Sequence, residues 1–259
     1  MHFLFNNQRI VVNVPDARKF SVEITNRFQC AEGFALATVN LDHLVKLSRD
    51  EVFLRAYQAQ DFIVADGRPI VWLSRIANRP VELMPGSDLV TPLCKMAAQS
   101  GVKVALVGST EPVLEEARTA LMHWVPGLEI TYVQAPSRNF DPEGDESRRI
   151  LTELAEQKVG MCFIALGAPK QERFAALGRQ LAPQVGFASI GAGLDFVTGA
   201  QRRAPLWMRK LALEWLWRML SSPARLVPRY AQCFAILPRQ VTQALRIRRQ
   251  RDDVRAQDS

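Results

Sequence analysis

Along the first 201 residues, short apolar runs alternate with longer segments of helical periodicity, and this alternation constrains the fold more than any other feature. The short runs predict buried strands, and the longer segments predict helices that connect them. A β-then-α order is typical of an open, mostly parallel sheet with helices on both faces. The predicted strands are Phe34–Val39, Phe62–Ala65, 102–107, 128–133, 159–166 and 185–190, and the predicted helices are 44–57, 87–99, Glu111–Trp124, 146–157 and 170–180.

The pattern changes after residue 201. Residues 206–220 predict a helix that is apolar over much of its surface and carries three of the five tryptophans. Pro223 and Pro228 are expected to break the chain before a second apolar stretch at 234–237. We therefore predict an α/β protein with a Rossmann-like domain over residues 1–201 and a basic, helical C-terminal appendage over residues 202–259.

Positive charge is concentrated in the predicted appendage. The chain has a formal net charge of +7, and residues 202–259 carry 13 Lys and Arg residues against four Asp and Glu residues. Such a stretch predicts a polyanionic partner, which could be nucleic acid, anionic lipid or a diphosphate. A basic helix with tryptophans suits a membrane interface. The alternative is that this helix packs on the body or on another subunit.

Several classes of protein are not expected. No run of about 18 uncharged apolar residues predicts a membrane-spanning helix, and residues 1–14 have no pattern of a secretory signal. The four cysteines form no close pair and the three histidines are scattered. We therefore expect reduced thiols, no metal site and a cytoplasmic protein.

The predicted sheet also predicts where ligands bind. In open parallel sheets they bind beyond the carboxyl ends of the strands. The candidate loops begin at Asn40, Asp66, Gly108, Gly167 and Gly191.

Asp66 is the candidate catalytic residue in these loops. It follows an apolar strand and precedes a glycine. A carboxylate in this place can take a proton from an attacking hydroxyl. The alternative is that Asp66 caps the following helix.

Two glycine-containing loops could bind phosphate. The segment 167–172 precedes a helix, whose first N–H groups can bind a phosphate, and Gln171 could bind a ligand amide or hydroxyl. The segment 191–195 is similar, but it lacks the third glycine of a dinucleotide-binding loop. Both could also be ordinary turns. No Walker A loop and no Asp-x-Asp pair occurs, so we expect arginines, not a metal, to neutralise any diphosphate.

Six motifs in order resemble one known family. They are Thr38-Val39-Asn40, Ala65-Asp66-Gly67, Pro85-Gly86-Ser87-Asp88, Gly167-x-Pro169-Lys170-Gln171-Glu172, Arg203-Ala204-Pro205 and Leu213-Glu214-Trp215-Leu216-x-Arg218. Together they resemble the WecG/TagA/CpsF family, glycosyltransferase family 26, over residues 34–230.

The resemblance implies an activity and its partners. The family transfers a sugar from a UDP-sugar with inversion, without a metal or other cofactor, to a sugar linked to undecaprenyl diphosphate. By resemblance, Asp66 is the general base. The implied donor-binding residues are Thr38, Asn40, Gly108, Gly167, Gln171 and Asp195, and the residues implied for the acceptor diphosphate are Arg218, Arg225 and Arg229.

The resemblance also implies a location. Such an enzyme works as a peripheral protein on the inner face of the cytoplasmic membrane, with anionic lipid as a partner and without nucleic acid. Alternatively, the Trp-bearing helix forms the contact between subunits of a homo-oligomer.

One departure bears on the donor. Family members often have an arginine where this chain has Leu83. The implied donor sugars are N-acetylmannosamine, its uronic acid and glucose. Because of Leu83 and the segment 65–69, we expect UDP-glucose and a role in exopolysaccharide synthesis.

Two other functions are compatible with parts of the sequence. A parallel sheet also fits an NAD(P)-dependent oxidoreductase, although no Gly-x-Gly-x-x-Gly follows the first strand. The arginine-rich end also fits a non-enzymatic nucleic-acid-binding protein, although nothing in the body resembles a nucleic-acid module.

Overall fold

A computed structural model describes residues 1–200, 204–205, 208, 214–221 and 223–257. The strands are β1 (His2–Phe5), β2 (Gln8–Val11), β3 (Phe34–Val39), β4 (Phe62–Ala65), β5 (Val104–Gly108), β6 (Ile130–Gln134), β7 (Met161–Ala165) and β8 (Gly186–Ser189). The helices are α1 (Ala17–Gln29), α2 (Leu41–Leu47), α3 (Glu51–Gln58), α4 (Arg68–Ile76), α5 (Gly86–Gln99), α6 (Glu111–Trp124), α7 (Asp145–Glu156), α8 (Lys170–Leu181), α9 (Gly193–Val197), α10 (Glu214–Ser221) and α11 (Pro223–Gln257).

Six strands form one parallel sheet in the order β4-β3-β8-β7-β5-β6. The predicted α/β fold with a mostly parallel sheet is therefore confirmed. The last of the described strands, β8, lies between β3 and β7 in the middle of the sheet. As a result, loops from distant parts of the sequence meet at one edge.

Alternate residues of β3, β4, β5 and β7 enter different apolar clusters, which is why these strands are almost entirely apolar. Phe34 and Leu36 of β3 pack in a cluster with α1, α5 and α6. Ala37 and Val39 pack on the opposite face with α2, α3 and α4. A strand covered on both faces has no polar side to alternate, so it is visible in sequence as an unbroken apolar run.

A small antiparallel hairpin, β1–β2, precedes the sheet. Its two-residue turn is Asn6-Asn7, with φ of 47° and 62°. Asparagine tolerates this left-handed conformation, which two-residue hairpin turns require. Phe3 and Ile10 of the hairpin are buried against the α2–α4 side of the sheet.

The predicted helix over residues 44–57 is two helices in the structure. Helix α2 ends at Leu47 and α3 begins at Glu51. Asp50 caps α3 by accepting a hydrogen bond from the backbone N–H of Phe53 at 2.9 Å. A capped start is a local signal that the spacing of apolar residues hides.

The predicted chain break at Pro228 is wrong. Helix α11 is continuous from Pro223 to Gln257 and contains both Pro228 and Pro238. Leu226 and Cys233, on either side of Pro228, are buried, and α11 packs against α2 and α4. Because most helical stability comes from such packing, the loss of one N–H hydrogen bond does not end the helix.

The far part of α11 enters the core. Ala244 and Ile247 are buried in the cluster that contains Phe3 and Ile10. The division into a domain over residues 1–201 and an appendage over 202–259 stays a prediction. Of the predicted helix over 206–220, residues 206–207 and 209–213 lie outside the described residues, and the rest of it from Glu214 onward is helical as α10.

Candidate active site

The loops expected to form the site all lie at the carboxyl edge of the sheet. Because the strands are parallel, the residues that follow β3, β4, β5, β7 and β8 emerge on the same side. Helices α4, α5, α6 and α8 begin at or just beyond this edge. Their N-terminal N–H groups make the local potential positive, which favours an anionic ligand.

Asn40 and Asp66 are neighbours at this edge. Strands β3 and β4 are paired so that Val39 lies opposite Ala65, and the side-chain Nδ2 of Asn40 donates to Oδ2 of Asp66 at 3.2 Å. The Oδ1 of Asn40 accepts from the backbone N–H of His43 at 3.0 Å and caps α2. The amide of Asn40 therefore has a fixed orientation and holds the Asp66 carboxylate in place.

The residue at the N-cap of α4 is Gly67, not Asp66. Gly67 has a φ of +95°, a conformation in which glycine is favoured. The turn places the Asp66 side chain, which is partly buried, before the helix begins. Whether the Asp66 side chain also caps the start of α4 stays a prediction.

A buried polar chain lies behind Asn40. The hydroxyl of Tyr57 donates to the carbonyl oxygen of Thr38 at 2.7 Å, and Nδ1 of His43 lies 2.7 Å from the same hydroxyl. Tyr57 has a single phenol proton, which it donates to Thr38. Nδ1 of His43 must therefore be protonated and donate to the Tyr57 hydroxyl oxygen. Burial lowers the pKa of His43 to about 4, so the imidazole is neutral. Thr38, one of the predicted donor-binding residues, is itself only 5% exposed.

Gly108 cannot be replaced without moving the neighbouring strand. Its φ is +119°, and an added Cβ would lie 2.5 Å from the backbone carbon and oxygen of Ala165. The next residue, Ser109, donates from Oγ to Oδ1 of Asp195 at 3.3 Å. The loops after β5 and β8 are thereby joined, and the predicted donor-binding residues Gly108 and Asp195 lie in adjoining segments.

Gln171 joins two further loops. It is 2% exposed, its Nε2 donates to Oε1 of Glu172 at 2.8 Å, and its Oε1 accepts from the N–H of Gly191 at 2.9 Å. Gly167, four residues earlier, has a φ of +71° and no atom near an added Cβ. Both ends of the Gln171 amide are thus used within the protein, and its role in donor binding stays a prediction.

The motif around Gly86 is positioned by a close backbone contact. A Cβ on Gly86 would lie 3.1 Å from the Cα and carbonyl oxygen of Ile190 at the end of β8. Just before it, Leu83 forms an isolated parallel bridge with Ala65, and the Leu83 side chain is 38% exposed. Leu83, the position that departs from the family pattern, therefore lies at the site edge. It is beside Ala65, which directly precedes Asp66.

Sequence reasoning missed Lys46 and Asp42 of α2. The Nζ of Lys46 donates to the carbonyl oxygen of Ala168 at 3.0 Å and lies 3.0 Å from Oδ2 of Asp42. The Oδ1 of Asp42 lies 2.9 Å from Nε of Arg229. A carboxylate four residues before a lysine is a helical pairing signal that the sequence contains. The connection to Ala168 has no such signal.

The arginines predicted for the acceptor diphosphate are only partly described. The side chains of Arg218 and Arg225 lie outside the described residues. Arg229 is exposed, and its guanidinium group is paired with Asp42 while part of it faces solvent. Binding of a diphosphate by any of the three stays a prediction.

The described part of the chain offers neither a membrane-spanning helix nor a cluster of metal ligands. None of the described helices combines the length and apolar composition needed to cross a bilayer. Over the same residues, no group of three or more His, Cys, Asp or Glu side chains is arranged to hold a metal ion. That the protein works without a metal ion stays a prediction.

The parallel sheet and the loops at its carboxyl edge define an α/β protein with a candidate ligand site beyond the strand ends. The chain belongs to the WecG/TagA/CpsF family of glycosyl transferases, whose family model matches residues 7–252. This membership favours a glycosyltransferase over the oxidoreductase and the nucleic-acid-binding protein considered from the sequence.

Two curated relatives are similar over most of the chain. One, from Bacillus spizizenii (strain ATCC 23059 / NRRL B-14472 / W23), is 29% identical over 195 residues, which are 75% of this chain and 74% of the relative. The other, from Bacillus subtilis (strain 168), is 27% identical over 210 residues, 77% of this chain and 78% of the relative. Both are named N-acetylglucosaminyldiphosphoundecaprenol N-acetyl-beta-D-mannosaminyltransferase.

Proposed function

We propose that the protein transfers a hexose from a UDP-sugar to a sugar carried on undecaprenyl diphosphate, with inversion at the anomeric carbon. The observation that carries the proposal is the Asp66 carboxylate, oriented by Asn40 at 3.2 Å at the carboxyl edge of a glycosyl transferase of this family. The lipid-linked acceptor comes from the names of both relatives.

Asp66 acts as the general base in this proposal. An acceptor hydroxyl gives its proton to the carboxylate while its oxygen forms a bond to the anomeric carbon. The bond from that carbon to the diphosphate oxygen breaks at the same time, and UDP leaves with the electron pair. A positioned base of this kind contributes roughly 10²–10⁴-fold in rate.

The diphosphate of the donor lies in this proposal near the first turns of the helices at the edge, whose N–H groups bind anions. Gly167 keeps the backbone accessible there, since no atom lies within 4 Å of a Cβ added to it, and Gly108 lies at the same edge. The segments around Thr38, Asn40, Gln171 and Asp195 surround the same edge. We propose that no metal ion takes part and that helix termini and arginines neutralise the diphosphate.

N-acetylmannosamine is the first donor to test, because both relatives are named for its transfer. Glucose and the uronic acid of N-acetylmannosamine follow, because Leu83 stands at the site edge where family members often have an arginine. With glucose as donor, the product would belong to exopolysaccharide synthesis.

The enzyme works, in this proposal, as a peripheral protein on the inner face of the cytoplasmic membrane. The support is the basic composition of residues 202–259 and an acceptor whose lipid resides in a membrane. Each Lys or Arg near an anionic leaflet contributes on the order of 1 kcal/mol.

The test is transfer from a panel of radiolabelled UDP-sugars to short-chain polyprenyl-diphosphate-linked N-acetylglucosamine, with and without EDTA. We expect transfer from one donor, undiminished by EDTA, and binding of UDP by calorimetry. Absence of both transfer and UDP binding would overturn the proposal. Transfer that EDTA abolishes and Mg²⁺ restores would overturn its metal-free part.

A further inference from the structure

Glu172 is a carboxyl group in the interior whose position no simple packing argument explains. It lies in the first turn of α8, yet none of its surface is exposed. Its Oε1 accepts one hydrogen bond, from Gln171, and within the described part of the chain Oε2 has no partner. Burying a carboxyl group in this way costs free energy that an apolar side chain of the same size would avoid.

The Glu172 side chain determines which way the Gln171 amide points. An amide has a donor end and an acceptor end. Glu172 offers an acceptor to Nε2, while the N–H of Gly191 offers a donor to Oε1. A flipped amide would place two acceptors together on one side and two donors on the other. Only one orientation satisfies both contacts.

Gly191 is the fixed point of the loop that follows β8. Its φ is +57°, and its N–H is held by Gln171 at 2.9 Å. Helix α9 begins two residues later and carries Asp195, which accepts from Ser109. A change in the position of Gly191 would therefore move Asp195, which is predicted to lie near the nucleoside.

The surroundings of Glu172 stabilise this arrangement. Gln60, beyond the end of α3, donates from Nε2 to the backbone carbonyl oxygen of Glu172 at 3.2 Å, which holds the first turn of α8 from the other side. Burial raises the pKa of Glu172 to about 7, against the lowering effects of the Gln171 hydrogen bond and the charge of Lys46. A neutral carboxyl group carries a smaller burial cost than a carboxylate.

We infer that Glu172 is a positioning residue of the donor site: by orienting the Gln171 amide it fixes Gly191 and the loop leading to Asp195. The inference rests on the proposed function, because it assigns the loop to UDP-sugar binding. Glu172 itself contacts no substrate in this scheme.

The test compares Glu172→Met, which removes the acceptor at similar size, with Glu172→Gln, which keeps a carbonyl oxygen. Glu172→Met should raise the Kd for UDP and the KM for the donor about tenfold, the effect of losing one positioned hydrogen bond. The KM for the acceptor should stay unchanged, and Glu172→Gln should restore donor KM to within about threefold of wild type.

Phe174→Leu is the matched control. Phe174 is a buried residue of the same helix whose ring packs against Phe140 and Phe187, so its replacement lowers stability but removes neither hydrogen bond of the Gln171 amide. Melting temperatures are measured for all variants. If Glu172→Met does not fold, Glu172→Asp replaces it, because a carboxyl group one methylene shorter cannot reach Nε2 of Gln171 from the same backbone.

Amide hydrogen exchange at Gly191 gives a readout without ligand. Exchange should be faster in Glu172→Met than in Phe174→Leu. Unchanged exchange, or unchanged UDP affinity in a protein whose wild type binds UDP, would overturn the inference while leaving the proposed function intact. A wild-type protein that neither binds UDP nor transfers from any UDP-sugar would instead refute the proposed function.

Discussion

The Nε atom of Arg229 lies 2.9 Å from the Oδ1 atom of Asp42, so that helix α11 is linked by an ion pair to helix α2. The same carboxylate lies 3.0 Å from Nζ of Lys46, and Lys46 donates to the carbonyl oxygen of Ala168 at 3.0 Å. The C-terminal helix is thereby connected through two side chains to the loop that follows β7 at the site.

Arg229→Met and Asp42→Asn both remove the ion pair between Arg229 and Asp42, and Asp42→Asn also removes the pair between Asp42 and Lys46. Arg229→Met should lower the free energy of unfolding by about 1 kcal/mol or less, because the Arg229 side chain is 42% exposed and surface ion pairs contribute little. Asp42→Asn should lower it more, because the Asp42 side chain is 13% exposed and pairs with both cations. If Arg229 also binds the acceptor diphosphate, only Arg229→Met should raise the KM for the acceptor. Equal acceptor KM values in the two variants would assign Arg229 a structural role alone.

Asp66→Asn should fold with an unchanged melting temperature and lose at least about 10²-fold in kcat, because an amide cannot accept the proton. Its affinity for UDP, measured by calorimetry, should stay within about threefold of wild type, since the base acts on the acceptor hydroxyl. Turnover near that of wild type would remove Asp66 from the role of base.

Gly108→Ala should be severely destabilising, because the new Cβ would lie 2.5 Å from the backbone of Ala165 in addition to adopting a φ of +119°. We expect a loss of more than about 3 kcal/mol in the free energy of unfolding, measured by denaturant titration. Gly127→Ala is the control: its φ is +80° but no atom lies within 4 Å of the added Cβ. It should cost only about 1–2 kcal/mol. Similar losses in both variants would show that conformation, not the contact with Ala165, explains the need for Gly108.

The buried His43 should make stability depend on pH. Burial lowers its pKa to about 4, from the ordinary value of 6.5, so the unfolded chain binds more protons between these values. Stability therefore rises with pH from about 4 to 6.5, on the order of 3 kcal/mol across that range. His43→Gln cannot titrate, and the difference in unfolding free energy between wild type and this variant should reproduce the slope.

The comparison with wild type is needed because Glu172 has the opposite effect: its pKa is raised to about 7, so its contribution is lost as pH rises from about 4.5 to 7. A difference curve that is flat between pH 4 and 6.5 would contradict the buried, neutral state of His43.

The sheet could be predicted because its strands are buried on both faces. Met161–Ala165, for example, is an unbroken apolar run followed closely by a glycine turn, and its short length and this flanking glycine favour a buried strand over a buried helix segment. The hairpin β1–β2 and helix α1 were not predicted, because the hairpin is half exposed and its pattern is short. The order of the strands, with β8 in the middle, is a tertiary property that the alternation does not contain.

The site was predictable as a set of strand ends but not as a set of contacts. Asn40 and Asp66 follow neighbouring strands, so their proximity follows once β3 and β4 are paired. The contact of Gln171 with Gly191 depends on the packing of β8 beside β7. The contact of Lys46 with Ala168 joins residues 122 positions apart, and no local pattern indicates it.

The shared core of the hairpin and α11 has a consequence for synthesis. Phe3 and Ile10 are covered by a cluster that also contains Ala244 and Ile247. At translation rates of about 5–20 residues per second, a nascent chain would leave this apolar surface uncovered for roughly 10–50 seconds. During this interval a chaperone could bind the surface, and the ion pair of Arg229 with Asp42 could not yet form. The packing of α11 over the hairpin is therefore completed only after residue 247 has been synthesised.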